Sequence, residues 1–254
     1  MRRYCIGIVI LGLVLFPHYA SALDGTVPLS RSAKAPQRDS ATSVKRAVLA
    51  HEHASAAVHH IADWVVDSGD NRGLPFVIID KTGAKMFVFD AGGRLRGAAP
   101  VLLGLARGDH TVPGIGDRQL SKIRPDERTT PAGRFVAARG MSTRGVDVVW
   151  VDYDSGVSLH RVVTSNRRER RLERLATPTP ADNRISYGCI NVPVAFYDEV
   201  LNPSFTGTHG IVYVLPETRP AREVFGSYDV AARHQYAVRA PQDATIATEL
   251  PTAE

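Results

Sequence analysis

Three hydrophobic rhythms succeed one another along the chain. Tyr4 to Phe16 is a nearly unbroken apolar run behind Arg2 and Arg3. From Ala41 to Ser68, Val44, Val48, Val58, Ile61, Ala62 and Val65 recur at helical spacing, no Pro or Gly intervenes, and Gly69 is a natural stop. This pattern predicts one long amphipathic helix over 41–70, laid by one face on the main domain. After Pro75 the rhythm becomes that of strands. Phe76 to Asp80 and Lys85 to Asp90 flank Lys81-Thr82-Gly83-Ala84, which reads as a hairpin. Ala91-Gly92-Gly93 makes the next turn, before Leu95 to Leu103. Further strands are expected over Arg134 to Ala138, Asp147 to Tyr153, Gly156 to Val163 and Gly210 to Leu215.

Many short strands separated by turns predict a mainly β domain, a sandwich or open barrel with a few short helices, preceded by the N-terminal helix. The stretch from Gly104 to Thr130 is long, polar and glycine-bearing, as functional loops often are. Asn191 and Pro193 are start signals for a short helix over Val194 to Leu201. Residues 23–40 read as a flexible linker, and 217–254 as a polar surface segment with a tail.

The N-terminal run has the three parts of an export signal: a basic start, an apolar stretch too short to span a bilayer, and Ala20-Ser21-Ala22 as a small-residue cleavage site. Residues 1–22 are therefore expected to be removed, leaving no membrane span. The net charge of +5 falls by two when Arg2 and Arg3 leave, too mild an excess to argue for nucleic acid. Its one concentrated source is Arg167 to Arg174, whose interleaved glutamates suggest a solvated helix face. His51, His53, His59 and His60 lack metal-site spacing and are expected to be solvated.

Cysteine usage is the sharpest compositional fact. Of Cys5 and Cys189, the first belongs to the expected leader, so the exported chain would hold a single thiol and could form no internal disulfide. Such a cysteine is a buried filler, an intermolecular bridge or a working nucleophile. Ser186-Tyr187-Gly188-Cys189-Ile190-Asn191 favours the last. Gly188 permits a sharp turn that brings backbone N–H groups close to whatever the sulfur attacks. A helix starting just beyond would favour thiolate over thiol. A base is also needed. His160, ending the alternating segment Val157-Ser158-Leu159-His160, is preferred over His110 in the long loop and His209 before the last strand.

The segment Ser186 to Asn191, with His160 upstream, resembles the signature of the L,D-transpeptidases (YkuD-type catalytic domain). Thr130-Pro131-Ala132-Gly133-Arg134-Phe135 is similar to that family's Thr-Pro-x-Gly-x-Phe element. The resemblance covers about 74–216 and departs at two points. Tyr187 stands where the family usually has histidine, and residues 164–184 make the gap after His160 longer, as a basic insertion.

The resemblance implies a periplasmic peptidoglycan enzyme needing no metal or organic cofactor. Cys189 would attack a stem tetrapeptide through a thioester and His160 would shuttle the proton. The carbonyl of Arg161 would hold the imidazole, and backbone N–H groups near Tyr187, Gly188 and Cys189 would receive the oxyanion, with Ser186 and Asn191 as motif support. An amine acceptor from a second stem gives a 3→3 cross-link, whereas water gives L,D-carboxypeptidase activity. Rival readings are an amidohydrolase on the same Cys–His pair, a non-catalytic wall-binding module and a redox-sensing thiol. Oligomeric state is open at this point.

Overall fold

In the computed structural model residues 44–236 are described; the expected leader, the linker at 23–40 and the tail beyond 236 lie outside the described residues. Ten strands form the framework. They are β1 (Phe76–Asp80), β2 (Lys85–Phe89), β3 (Leu95–Pro100), β4 (Leu103–Gly104), β5 (Gly133–Met141), β6 (Asp147–Asp152), β7 (Val157–Arg161), β8 (Arg184–Ser186), β9 (Ile190–Val192) and β10 (Gly210–Val214).

Eight of them make one mixed sheet in the order β3-β2-β1-β10-β5-β6-β7-β9, and β4 pairs with β8. The large sheet curls until its ends meet. Just past β3, Leu102 exchanges backbone hydrogen bonds with Asn191 of β9 at 3.0 and 2.9 Å. The result is a mainly β, nearly closed barrel.

The hairpin forms as its pattern predicts, with Phe76 opposite Phe89 and Asp80 opposite Lys85. Asp80 caps the turn by accepting from the backbone N–H groups of Thr82 and Gly83. The unbroken apolar run of β1 has a physical reason, because both of its faces are covered. Val77 and Ile79 point into the barrel with Met86, Val88, Val149, Leu159, Ile190 and Val212. Phe76 and Ile78 point outward onto α1 (Ala56–Ser68). That helix buries Val58, Ile61, Ala62 and Val65 against them, each of the valine and isoleucine side chains worth about 1.5–3 kcal/mol of burial.

Helix α1 is shorter than the periodicity predicts. Ser55 accepts the Val58 N–H as N-cap, and Gly69 ends the helix in a left-handed conformation. Residues 44–55 are not helical: Val48 pairs in parallel with Arg94, donating to the Gly93 carbonyl and accepting from Leu95 N–H, both at 2.9 Å. Val44, Ala47 and Leu49 therefore reach the same apolar layer from an extended segment. His51, His53 and His59 are exposed, and His60 contacts Ser227.

The loop between β4 and β5 is ordered by three short 3-10 turns. After β9 the chain runs through α3 (Val194–Phe196), a π turn (Tyr197–Leu201) and α4 (Asn202–Ser204), which together extend the expected short helix. The segment from 217 is not simply surface. Glu217 and Thr218 are tied to Asp109, and α5 (Ala221–Phe225) follows. No helix among the described residues is long and apolar enough to cross a membrane.

Candidate active site

Strand register builds the site. On β7, Val157 and Leu159 fill the barrel, so Ser158 and His160 must face outward. The parallel neighbour β9 places Ile190 beside Leu159 in the core and Asn191 beside His160 outside. Cys189, two residues before Asn191, comes to the same outer side. Its Sγ lies 3.7 Å from Ser158 Oγ and 3.4 Å from the Gly156 carbonyl oxygen. Ser158, His160, Cys189 and Asn191 thus form one outward patch, in which Cys189 and His160 are half-buried and Asn191 fully buried.

The imidazole is fixed in tautomer and orientation. Nδ1 is 2.7 Å from the Arg161 carbonyl oxygen, which can only accept, so Nδ1 carries a proton and Nε2 is left for the sulfur. The Arg161 guanidinium is occupied on the other side, pairing with Asp147 and Asp198 over the Tyr197 ring. Burial pushes the Cys189 thiol up, but His160, together with the Ser158 amide and hydroxyl, outweighs it and leaves the thiol below its ordinary range. Burial likewise lowers His160, yet Cys189 and the Arg161 carbonyl raise it above the ordinary imidazole value. Each group thus favours the charged form of the other, which is the condition for a thiolate–imidazolium pair.

The helix beyond the thiol starts at Val194, where the sequence places it, but β9 lies between it and Cys189. The groups that lower the thiol are the imidazole of His160 and Ser158.

The loop that carries Cys189 is held from beneath. Ser186 Oγ donates to the Cys189 carbonyl at 2.6 Å and accepts the Gly188 N–H at 3.1 Å. That N–H is consequently spoken for, which leaves those of Tyr187 and Cys189 as the backbone donors open to an oxyanion. Gly188 sits at φ +131°, and a Cβ there would lie 2.8 Å from the Thr129 carbonyl oxygen. Only glycine fits without strain. Fully buried Thr130 explains the Thr-Pro element: its hydroxyl donates to the Gly188 carbonyl at 2.8 Å and accepts from Gly104 N–H at 2.9 Å.

Beneath Thr130 lies a buried ionic group. Lys81 Nζ donates to the carbonyls of Gly108 and Thr130 and to Asp109 at 2.6, 3.0 and 2.8 Å. Glu217 joins it to Arg184 of β8.

Tyr187, in the position of the usual histidine, has the Arg128 guanidinium 4.0 Å above its ring. The basic insertion does not simply lie in solvent. Its helix α2 (Arg171–Ala176) is anchored by Leu175 against Leu102 and Val162. Arg171, only 12% exposed, donates to Asn191 Oδ1 at 2.7 Å and to Glu169 at 2.5 Å.

His110 and His209, the rival bases, are exposed and make no hydrogen bond to Cys189 among the described residues. Ser158, Thr130, Arg128 and Arg171 were not singled out as site residues from sequence. For Ser158 the signal was present, since strand alternation puts it on the face of His160.

No family model matches the chain, and no curated protein matches it. The solved structures similar to it include three L,D-transpeptidases. A mutant of the Enterococcus faecium enzyme is 17% identical over 56% of this chain and 49% of its own, with a TM-score of 0.31. The Xylanimonas cellulosilytica protein is 15% identical over 56% and 60%, at 0.34. The Stackebrandtia nassauensis protein is 18% identical over 58% and 57%, at 0.33. The chain spans about half to three fifths of the length of these structures.

Proposed function

We propose that this chain is an exported cysteine acyltransferase of the cell wall, a peptidoglycan L,D-transpeptidase working in the periplasm. The observation that carries the reading is the thiol of Cys189 in one patch with an imidazole whose Nδ1 is tied to a backbone carbonyl. The sequence resemblance around Ser186 to Asn191 gives the substrate class.

In the reaction the Cys189 thiolate attacks the carbonyl carbon of the third stem residue, forming a C–S bond. The oxyanion meets the N–H groups of Tyr187 and Cys189, a contribution of about 3–4 kcal/mol per donor in comparable sites. The C–N bond then breaks, and His160 gives its proton to the departing amine of the terminal D-Ala. The acyl group remains on sulfur as a thioester. An acceptor amine attacks next, its proton passes to His160, and the thiolate leaves as the new amide forms. If water attacks instead, the product is a shortened stem, the L,D-carboxypeptidase outcome.

The test is intact-protein mass spectrometry with a carbapenem and with a disaccharide-tetrapeptide, wild type beside Cys189→Ser. One stoichiometric adduct, absent from the variant, and dimeric product from the tetrapeptide are expected. Full turnover by Cys189→Ser, or a folded wild type that acylates with neither compound, would refute the reading.

A further inference from the structure

The basic insertion expected to lie in solvent instead delivers one arginine to the catalytic patch. Arg167, Arg168 and Arg170 are exposed, but the Arg171 side chain is 12% exposed, and α2 is pinned by Leu175 in a small apolar cluster with Leu102 and Val162. Its Nη1 is bonded to Oδ1 of Asn191 at 2.7 Å. Asn191 is the register partner of His160, and its own Nδ2 reaches the Cys189 carbonyl at 3.4 Å. The guanidinium is therefore one side chain away from both members of the Cys–His pair. It is also close enough to His160 to oppose protonation of the imidazole.

A guanidinium has five N–H donors. Here Nε serves Glu169 and Nη1 serves Asn191, while Nη2 has no acceptor among the described residues. A cation held this firmly beside a nucleophile, with an open donor edge, suits a planar anion.

We infer that Arg171 is a specificity-determining residue that takes a carboxylate of the substrate flanking the attacked carbonyl, so that the insertion forms one wall of the substrate site. This deepens the proposed function by naming the group that selects an anionic donor, and its test does not depend on peptidoglycan chemistry. Glu169, half-buried and paired with the same guanidinium, offsets part of its charge and sets how strongly it draws an anion.

The experiment compares alkylation of Cys189 by iodoacetate and by iodoacetamide, reagents alike in size and chemistry but differing by a carboxylate. The ratio of the two rates, anionic over neutral, reads the local cation and cancels any general change in thiol reactivity. Local fields of this kind change encounter rates by roughly tenfold or more. Arg171→Met is expected to lower the ratio by about tenfold, at the low end of that range. Arg171→Lys should keep most of it, and Glu169→Gln should raise it by freeing the guanidinium. Arg168→Met, in the exposed part of the insertion, should leave it unchanged.

If Arg171→Met slows both reagents alike, the residue only positions Asn191 and the inference is overturned. If the Met variant fails to fold, Glu169→Gln decides: an unchanged ratio there overturns the inference as well. Carboxylate preference without peptide turnover would retain Arg171 as an anion site and sink the transpeptidase reading instead. The converse result, turnover without the preference, would sink only the inference.

Discussion

Replacing Lys81 by methionine keeps the length of the side chain and removes its charge from a site closed to water. Lys81 has 0% side-chain exposure and three acceptors: the Gly108 and Thr130 carbonyls and Asp109. Around it Lys81 and Arg184 face Asp109 and Glu217, with the more exposed Arg219 and Arg107 reaching the same two carboxylates at 4.0 and 3.8 Å. The variant removes the fully buried cation of that group and leaves two carbonyls short of a donor. Breaking a buried pair from one side costs about 3–5 kcal/mol. Against a typical total of about 5–15 kcal/mol the loss is large, and easily measured.

Urea unfolding followed by the fluorescence of the chain's two tryptophans gives the number directly. The pH dependence supplies an independent check. Burial disfavours the Asp109 carboxylate, but Lys81, Thr218 and the N–H of Glu217 hold the carboxyl well below the usual range. A carboxyl depressed on folding contributes stability that is present above its ordinary value and lost as pH falls through the folded one. Without Lys81 that depression shrinks, so the variant takes up its proton at higher pH. Its deficit should then narrow as pH drops below the ordinary carboxylate range. A loss under about 1 kcal/mol, the size of a surface effect, would refute the reasoning. So would a deficit that does not change with pH.

Three further expectations concern the nucleophile loop. Gly188→Ala should lower stability by about 1–3 kcal/mol through its backbone conformation, with a further loss from the 2.8 Å approach to Thr129; thermal unfolding reads this, and unchanged melting would contradict the geometry. Ser186→Ala strands the buried Gly188 N–H and removes a donor from the Cys189 carbonyl, costing about 1–3 kcal/mol and slowing Cys189 alkylation in rate assays. His160→Ala removes the strongest influence holding the thiol down and leaves burial opposed mainly by Ser158. The pH midpoint for iodoacetamide reaction should therefore move upward, and a midpoint that stays put or falls would show that the imidazole does not set thiolate population.

Where one residue's environment was local, the sequence disclosed it. The hairpin at Phe76 to Phe89 was legible because turn residues and continuous apolar strands fall within one short span. The patch of Cys189 and His160 was legible from motif and alternation. What stayed hidden depended on contacts made far along the chain. Val44 and Val48 keep a helical period with α1, yet the backbone around Val48 finds its partners at Gly93 and Leu95. Strands β8 and β9 have three residues each, too few for any period to declare itself. Lys81 lies in what reads as an ordinary polar turn, and Glu217 in what reads as a polar tail. Only the closed barrel brings them together with Asp109 and Arg184.

The same closure explains why the chemistry sits outside the barrel and under an insertion. The interior is filled by apolar side chains from almost every strand, so a thiol and an imidazole could enter it only at the cost of burying their charges. The outward face of β7 and β9 avoids that. Residues 164–184 reach this face through a helix whose apolar anchor is Leu175 and whose polar contact is Arg171, bonded to Asn191. The sulfur is still desolvated, which by itself disfavours ionisation. The imidazole of His160 and the N–H of Ser158 reverse that sign at the sulfur, and Arg171 lies one side chain further out, on Asn191. Shape and charge are therefore coupled in one segment. Deleting the insertion would therefore remove the Leu175 anchor and the Arg171 contact to Asn191 together.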